Sequence, residues 1–156
     1  MTLTTFPPIA DLLPHAPPMV LVDELIQHDA ESVTSLVHIH KDAMFFETGK
    51  GVPAWVGIEY MAQTIAAWAG LCALQVGGEI KIGFLLGTRR YQTPISYFPE
   101  GCTLTVRGVR QHHEAAGLSA FDCHIHTIIK DQPIDIHVAL NVFQPDDPAA
   151  FLAGQH

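Results

Sequence analysis

Residues 52–78 read VPAWVGIEYMAQTIAAWAGLCALQVGG, and this stretch decides the fold. It contains one charged residue, Glu59, among side chains that are otherwise apolar, small or neutral. Pro53 suits the first turn of a helix and Gly77 suits its end, so we predict a helix from residue 53 to about residue 76. A helix that is apolar on nearly every side belongs in a protein core, where a lone carboxylate requires an explanation.

The same stretch is long enough to cross a bilayer, but its composition argues against a membrane span. Glu59 and Gln63 lie inside it, no basic cluster flanks it, and Ala and Gly outnumber Leu and Ile. The first residues of the chain show no secretory signal. Three widely spaced cysteines fit a reducing compartment, so we expect a cytoplasmic protein.

The chain as a whole has the size and composition of one globular domain. Of its 156 residues, 48% are hydrophobic and 15% are charged, which suits a packed core. The net charge of −8 argues against nucleic-acid binding, because that function needs a basic surface to displace counterions. We expect a single domain over residues 1–156, with a core from about 12 to 143 and peripheral ends.

Outside the helix the apolar period changes from 3.6 to 2, which predicts strands. Residues 19–27 and 32–40 are strand candidates before the helix, after a proline-rich opening that allows at most one helical turn. The candidates after it are residues 80–92, 102–111, 117–129 and 134–143. Strands joined by short turns pair antiparallel, and one apolar helix is best buried by a curved sheet that wraps around it. The predicted fold class is therefore α+β.

Several segments resemble those of a known family. LLPHAPPMVLVDEL (residues 12–25) resembles the opening of 3-hydroxyacyl-acyl carrier protein dehydratases, and PAWVGIEYMAQTIAAWAG (53–70) resembles their central helix. YFPEGCTLTVR (97–107) resembles a later turn and strand, and GFLLGTRRYQ (83–92) is similar to the dehydratase-like proteins of aryl polyene biosynthesis. The resemblance implies the hotdog fold, a curved antiparallel sheet wrapped around one long buried central helix.

The resemblance also implies a reaction, in fatty-acid or polyene-type biosynthesis, and places the family's helix carboxylate at Glu59. In that family a histidine removes the α-proton of a 3-hydroxyacyl thioester while the carboxylic acid helps the 3-hydroxyl to leave. The histidine precedes the helix, in the stretch that here reads MFFETGKGVPAWVG (44–57). Aligned without a gap, Phe45 takes its position; aligned on the paired phenylalanines, the histidine is deleted. In both alignments the usual catalytic pair is incomplete.

Three interpretations of the missing histidine stay open. Another histidine could approach from elsewhere, the candidates being His15, His38 and His40. Glu59 could act alone as base or nucleophile in thioester hydrolysis, as in hotdog thioesterases. The chain could also be a noncatalytic partner of an active dehydratase, because hotdog active sites form between two protomers. We expect a homodimer, or a heterodimer with a second hotdog subunit, that acts on acyl carrier protein or coenzyme A thioesters without a cofactor.

The role of Glu59 has a structural alternative, a carboxylate that accepts hydrogen bonds from a neighbouring loop. Because Glu59 stands six residues after Pro53, we expect it to lie beyond the first turn of the helix. Gln63 lies four residues after Glu59 and shares its face. It could orient the carboxylate or simply bond to a loop.

Five further residues are candidate substrate contacts. Phe45 and Trp55 could line an acyl tunnel, although most aromatic residues at such spacing belong to an ordinary core. Gly57 and the N–H groups at the start of the helix could polarise a thioester carbonyl. Arg89 and Arg90 could bind an acidic carrier or the phosphates of pantetheine, within a basic region from residue 81 to residue 110. A solvated strand face explains such basic residues equally well.

Ten histidines raise the question of a metal site. Asp122, His124 and His126 alternate onto one face of a predicted strand, and His38 with His40 forms a second such pair. Tetrahedral zinc needs a third and a fourth ligand, which the sequence does not place. We therefore expect a polar outer face of the sheet and no metal.

Overall fold

A computed structural model describes residues 6–13, 19–78, 84–88, 90–114 and 117–144 of the chain, with residues 84–88 described by their backbone. Within these ranges the protein consists of strands, one α-helix and two short 3-10 turns. The elements in chain order are β1 (Glu24–His28), β2 (Ser32–His38), β3 (Val52–Pro53), α1 (Gly57–Gln75), β4 (Phe84–Thr88), β5 (Tyr97–Phe98), β6 (Thr103–His113), β7 (Leu118–Ile129) and β8 (Gln132–Phe143), and the turns are Ile9–Asp11 and Ala54–Val56.

Six strands form one antiparallel sheet in the order β1-β2-β6-β7-β8-β4, and α1 packs against the inner face of its middle strands. The inner face is apolar, as the period of two predicts. On β8, for example, Ile136, Val138 and Leu140 are buried while the residues between them are exposed. The prediction of an antiparallel sheet covering one helix is confirmed.

Two details of the strand prediction are wrong. The candidate at residues 19–27 becomes a strand only from Glu24, because the buried amide of Gln63 engages the backbone of Met19 and Leu21. Strands β3 and β5 form a separate two-stranded sheet that the sequence did not predict. Each has only two residues, which is too short to show a period.

The helix is confirmed, with a shifted beginning. Pro53 lies in β3 and a 3-10 turn follows it, so α1 begins at Gly57 and ends at Gln75. Gly77 follows with φ of 74°, a left-handed conformation that glycine adopts without strain and that terminates helices. Among the described residues, no helix is both long and apolar enough to cross a membrane.

One face of α1 is less buried than the rest. Most of the circumference lies in the core, where Thr64 also bonds to Ser35 through their hydroxyls at 2.6 Å. Among the less buried residues of the helix, five half-buried ones lie at spacings of three and four, and we call them the open stripe: Glu59, Ala62, Ala66, Ala69 and Ala73. Such spacing places the five side chains on one face of the helix, so the described chain leaves this face only partly covered.

Candidate active site

Glu59 lies in the first turn of α1, at one end of the open stripe. The expectation that it lies beyond the first turn is wrong, because the 3-10 turn at residues 54–56 delays the start of the helix. Its Oε1 accepts a hydrogen bond from Nε2 of Gln63 at 3.3 Å. The carboxylate is half-buried, so it can be reached from outside the fold while Gln63 holds it from within.

Gln63 is fully buried, and its amide group forms hydrogen bonds both to the segment before β1 and to the carboxylate of Glu59. Its Oε1 accepts the N–H of Leu21 at 2.8 Å, and its Nε2 donates to the carbonyl of Met19 at 2.7 Å. The same Nε2 donates to Glu59. The two alternatives for Gln63 are therefore compatible, because one side chain anchors the segment before β1 and contacts the candidate acid.

Phe45 and Trp55 lie together but not in the core. Their rings meet edge to face with centroids 5.4 Å apart, and their exposed fractions are 41% and 59%. Phe45 has φ of 70°, an uncommon backbone conformation for a bulky residue, and such residues concentrate at functional sites. Trp55 lies in the 3-10 turn that precedes α1, four residues before Glu59 in the chain.

The structure gives Gly57 a packing role. A Cβ at this position would collide with the hydroxyl of Tyr91, which itself donates to the carbonyl of Ala54 at 2.6 Å. The N–H of Gly57 donates within the preceding turn, and the N–H of Ala54 donates to the carbonyl of Ser96. These two N–H groups are thus engaged inside the chain, so polarisation of a thioester carbonyl by Gly57 stays a prediction without support from this geometry.

The basic region from residue 81 to residue 110 is described only in part. Arg89 and Lys81 lie outside the described residues, and Arg90 is exposed in the loop that leads to Tyr91 at the helix start. By contrast, Arg110 forms a two-armed ion pair with Glu31, with both nitrogen–oxygen distances at 3.0 Å. Of the two predicted arginines, Arg90 is the one that lies within the described residues.

His38 and His40 line a cleft of about 240 Å³ rather than the stripe. Tyr60 contributes to this cleft, whereas the neighbouring Glu59 is not among its described lining residues. The predicted alternative histidine His15 lies outside the described residues.

The sequence did not single out Tyr60, Asp23 and Asp42, which share this cleft. Burial raises the pKa of the Tyr60 hydroxyl, with the Asp23 carboxylate adding to that effect, so the hydroxyl stays a proton donor. The three residues come from separate segments, and no spacing in the sequence links them. By contrast, the alanines of the open stripe recur at spacings of three and four, and this pattern is visible in the sequence.

Comparison with known proteins identifies the family. A model of the ApeP-like family, described as ApeP dehydratase, matches residues 7–153. Among curated proteins, no sequence matches this chain.

Solved structures identify the fold. The dehydratase heterocomplex ApeI:P from Xenorhabdus doucetiae contains a chain with 24% identity and a TM-score of 0.84, over 97% of this chain and all of that one. A thioesterase family protein from Silicibacter pomeroyi has 10% identity and a TM-score of 0.62, over 88% of this chain and 95% of that one. A Streptococcus mutans protein bound to acetyl CoA has 10% identity and a TM-score of 0.57, over 78% and 86%. These likenesses confirm the predicted hotdog fold.

Proposed function

Because the chain belongs to the ApeP-like dehydratase family, we propose that it is one subunit of a dehydratase for 3-hydroxyacyl thioesters, completed by a second hotdog subunit. In this proposal Glu59 is the catalytic acid. The second subunit covers the open stripe and supplies the base. The solved structure of a dehydratase heterocomplex with the same fold supports a mixed assembly.

The observation that carries the proposal is the position of Glu59. The candidate acid lies on the same helix face as four alanines, and that face is only half-buried in the described chain. Small side chains let another backbone approach closely, and the rings of Phe45 and Trp55 expose further apolar surface, with Trp55 in the turn that precedes the helix. Exposed apolar area next to a functional carboxylate is typical of an interface that completes a site.

The chemistry requires two groups, and in this proposal the described part of the chain offers one of them, Glu59. A base removes the α-proton, the electron pair forms the new double bond, and the bond between C3 and the hydroxyl oxygen breaks. A carboxylic acid protonates the departing oxygen to give water, and the thioester remains intact. Since the resemblance aligns no histidine of residues 44–57 with the family's histidine, the base in this proposal is a histidine of the second subunit.

The substrate class follows from the family and from the surroundings of the site. We propose an acyl carrier protein thioester, with Arg90 facing the acidic carrier or its phosphate. The S. mutans neighbour, which was solved with acetyl CoA, supports thioester binding by this fold. Coenzyme A is the alternative carrier for the same chemistry.

A mass-spectrometric assay tests the proposal. The purified chain is incubated with a 3-hydroxyacyl carrier protein, alone and with an equimolar second hotdog dehydratase subunit that retains the family histidine. We expect the acyl group to lose the mass of one water only in the mixture. Glu59→Gln in the mixture should abolish this loss, whereas Glu114→Gln, an exposed carboxylate at the β6–β7 turn, should leave it unchanged.

Other outcomes separate the alternatives. Release of free acid by the chain alone, lost in Glu59→Gln, would replace the proposal with a Glu59-dependent thioesterase. Water loss by the chain alone would show a self-sufficient homo-oligomeric dehydratase. A mixture that works equally well with Glu59→Gln would make this chain a noncatalytic subunit.

A further inference from the structure

A cluster of histidines and carboxylates lies on the outer face of the sheet, away from the open stripe. Strand β7 carries Asp122 and His124 on this face, and β8 carries His137. His124 and His137 are direct cross-strand partners in the antiparallel register. Direct partners hold their Cβ atoms within about 5.5 Å of each other, which sets the two imidazoles side by side.

The cluster brings three potential ligand side chains together. The rings of His124 and His137 stack with centroids 4.2 Å apart and an interplanar angle of 3°. The carboxylate of Asp122 accepts a hydrogen bond from Nε2 of His137, and its other oxygen lies 4.0 Å from Nε2 of His124. One ligand atom from each of the three side chains lies within 4.8 Å of the others.

A second carboxylate lies on this face. Asp135 is two residues from His137 along β8, where it bonds to His126 at 2.8 Å. Arg107 is the cross-strand neighbour of His124 on the other side. Its guanidinium donates to Gln27 and Thr34, at 3.1 Å each, which directs its charge toward β2.

We propose that Asp122, His124 and His137 bind one divalent transition-metal ion, with zinc as the reference ion. Zinc bonds to imidazole nitrogen and carboxylate oxygen at about 2.0–2.2 Å, so tetrahedral ligand atoms are roughly 3.4 Å apart. The two imidazoles must rotate out of their parallel stacking to turn a nitrogen of each toward one ion, which closes the present 4.8 Å set to that size. Two imidazoles and one carboxylate select zinc, copper or nickel over magnesium or calcium, which prefer oxygen ligands.

The site has room for further ligands from solvent. All three side chains are partly exposed, with side-chain exposed fractions between 37% and 56%. A bound ion would therefore keep a water or accept a group from another molecule in its remaining position. It would also tie β7 to β8, which stabilises the folded chain in proportion to the ion's occupancy.

Calorimetric titration with zinc tests the site. The tag-free chain, first stripped with a chelator, should bind one Zn²⁺ per chain and melt at a higher temperature with the ion. His124→Ala and His137→Ala should each weaken binding by at least about tenfold, because even the loss of groups that only support metal ligands costs 10-fold to 100-fold. His112→Ala, an exposed histidine at the far end of β6, is the matched control and should bind as wild type does.

The proposal is overturned if the double variant His124→Ala/His137→Ala binds zinc as tightly as wild type. It is also overturned if His112→Ala loses as much affinity as His124→Ala, because binding would then be spread over the ten histidines. Circular dichroism of the metal-free variants checks that they remain folded. Glu59→Gln should bind zinc normally, so this result is independent of the dehydratase assay.

Discussion

At the scale of single residues, Gln63 connects the candidate acid to the fold. It is fully buried, and its amide meets the backbone of Met19 and Leu21 as well as the carboxylate of Glu59. The sequence showed that Gln63 shares a helix face with Glu59, because a spacing of four is sufficient for that inference. It did not show the contacts with residues 19–21, since those depend on how the N-terminal segment crosses the helix.

Replacing Gln63 therefore tests a structural role separately from chemistry. Gln63→Leu leaves the N–H of Leu21 and the carbonyl of Met19, two part-buried groups, without this partner. A fully buried group left unsatisfied costs about 1–3 kcal/mol, so we expect the free energy of unfolding in urea to fall by about 1–2 kcal/mol in total. Gln75→Leu, an exposed residue at the end of the same helix, should change it by less than about 0.5 kcal/mol. Equal effects of the two substitutions would contradict this role.

The buried thiol of Cys123 should make the free energy of unfolding depend on pH in the alkaline range. Burial raises the pKa of its thiol from 9.0 to about 12. The folded chain then keeps a proton that the unfolded chain releases above pH 9, so the free energy of unfolding falls as the pH rises from 9 toward 12. At about pH 10.5 the loss due to Cys123 is about 2 kcal/mol.

Urea unfolding of wild type and Cys123→Ala at two pH values measures this effect. Between about pH 8 and pH 10.5, wild type should lose about 2 kcal/mol more than the variant. The variant corrects for other titrating groups. One of them is Tyr91, because burial raises the pKa of its hydroxyl to about 12. An equal loss in both proteins would show that Cys123 is not buried as described.

At the scale of elements, the helix depends on close backbone contacts. Gly70 lies in the middle of α1, where alanine is usually more stable by about 1 kcal/mol. Here a Cβ would collide with the carbonyl oxygen of Leu12, a backbone atom that cannot move independently. The glycine therefore allows the N-terminal segment to cross the helix.

Gly70→Ala should accordingly destabilise the protein, against the usual propensity. We expect a net loss of about 1–2 kcal/mol, because overpacking of this kind costs about 1–3 kcal/mol. Gly108→Ala on β6 is the control, since its nearest neighbour would be Ile65 at an ordinary 3.5 Å. A more stable Gly70→Ala variant in thermal unfolding would show that the segment before β1 does not cross the helix here.

The sequence pattern predicted the long elements and not the short ones. The periods of 3.6 and 2 predicted α1 and the long strands β2, β6, β7 and β8, because each has enough residues to repeat a pattern. The two-residue strands and the 3-10 turn before α1 are too short to show a repeating pattern. Because the 3-10 turn was not predicted, the expected position of Glu59 was one turn too far into the helix. Contacts across strands, such as that of Asp122 with His137, depend on register, which turn geometry sets and the pattern alone does not.

At the scale of the whole molecule, the open stripe is the feature that a second subunit would cover. Ala66 lies at its centre and is half-buried, so a large charged side chain there would block the approach of another helix. Ala66→Arg should prevent assembly with a second hotdog subunit in size-exclusion chromatography. Ala139→Arg, which adds the same side chain to the exposed outer face of β8, should assemble as wild type does.

A titration of dehydration activity tests the central claim most directly. The chain is held at a fixed concentration, the histidine-bearing hotdog subunit is added stepwise, and water loss from a 3-hydroxyacyl carrier protein is followed. The proposed function predicts no turnover at zero partner, a linear rise to one partner per chain, and no rise with Ala66→Arg or Glu59→Gln. Full turnover without the partner, or a rise that Glu59→Gln leaves unchanged, would contradict it.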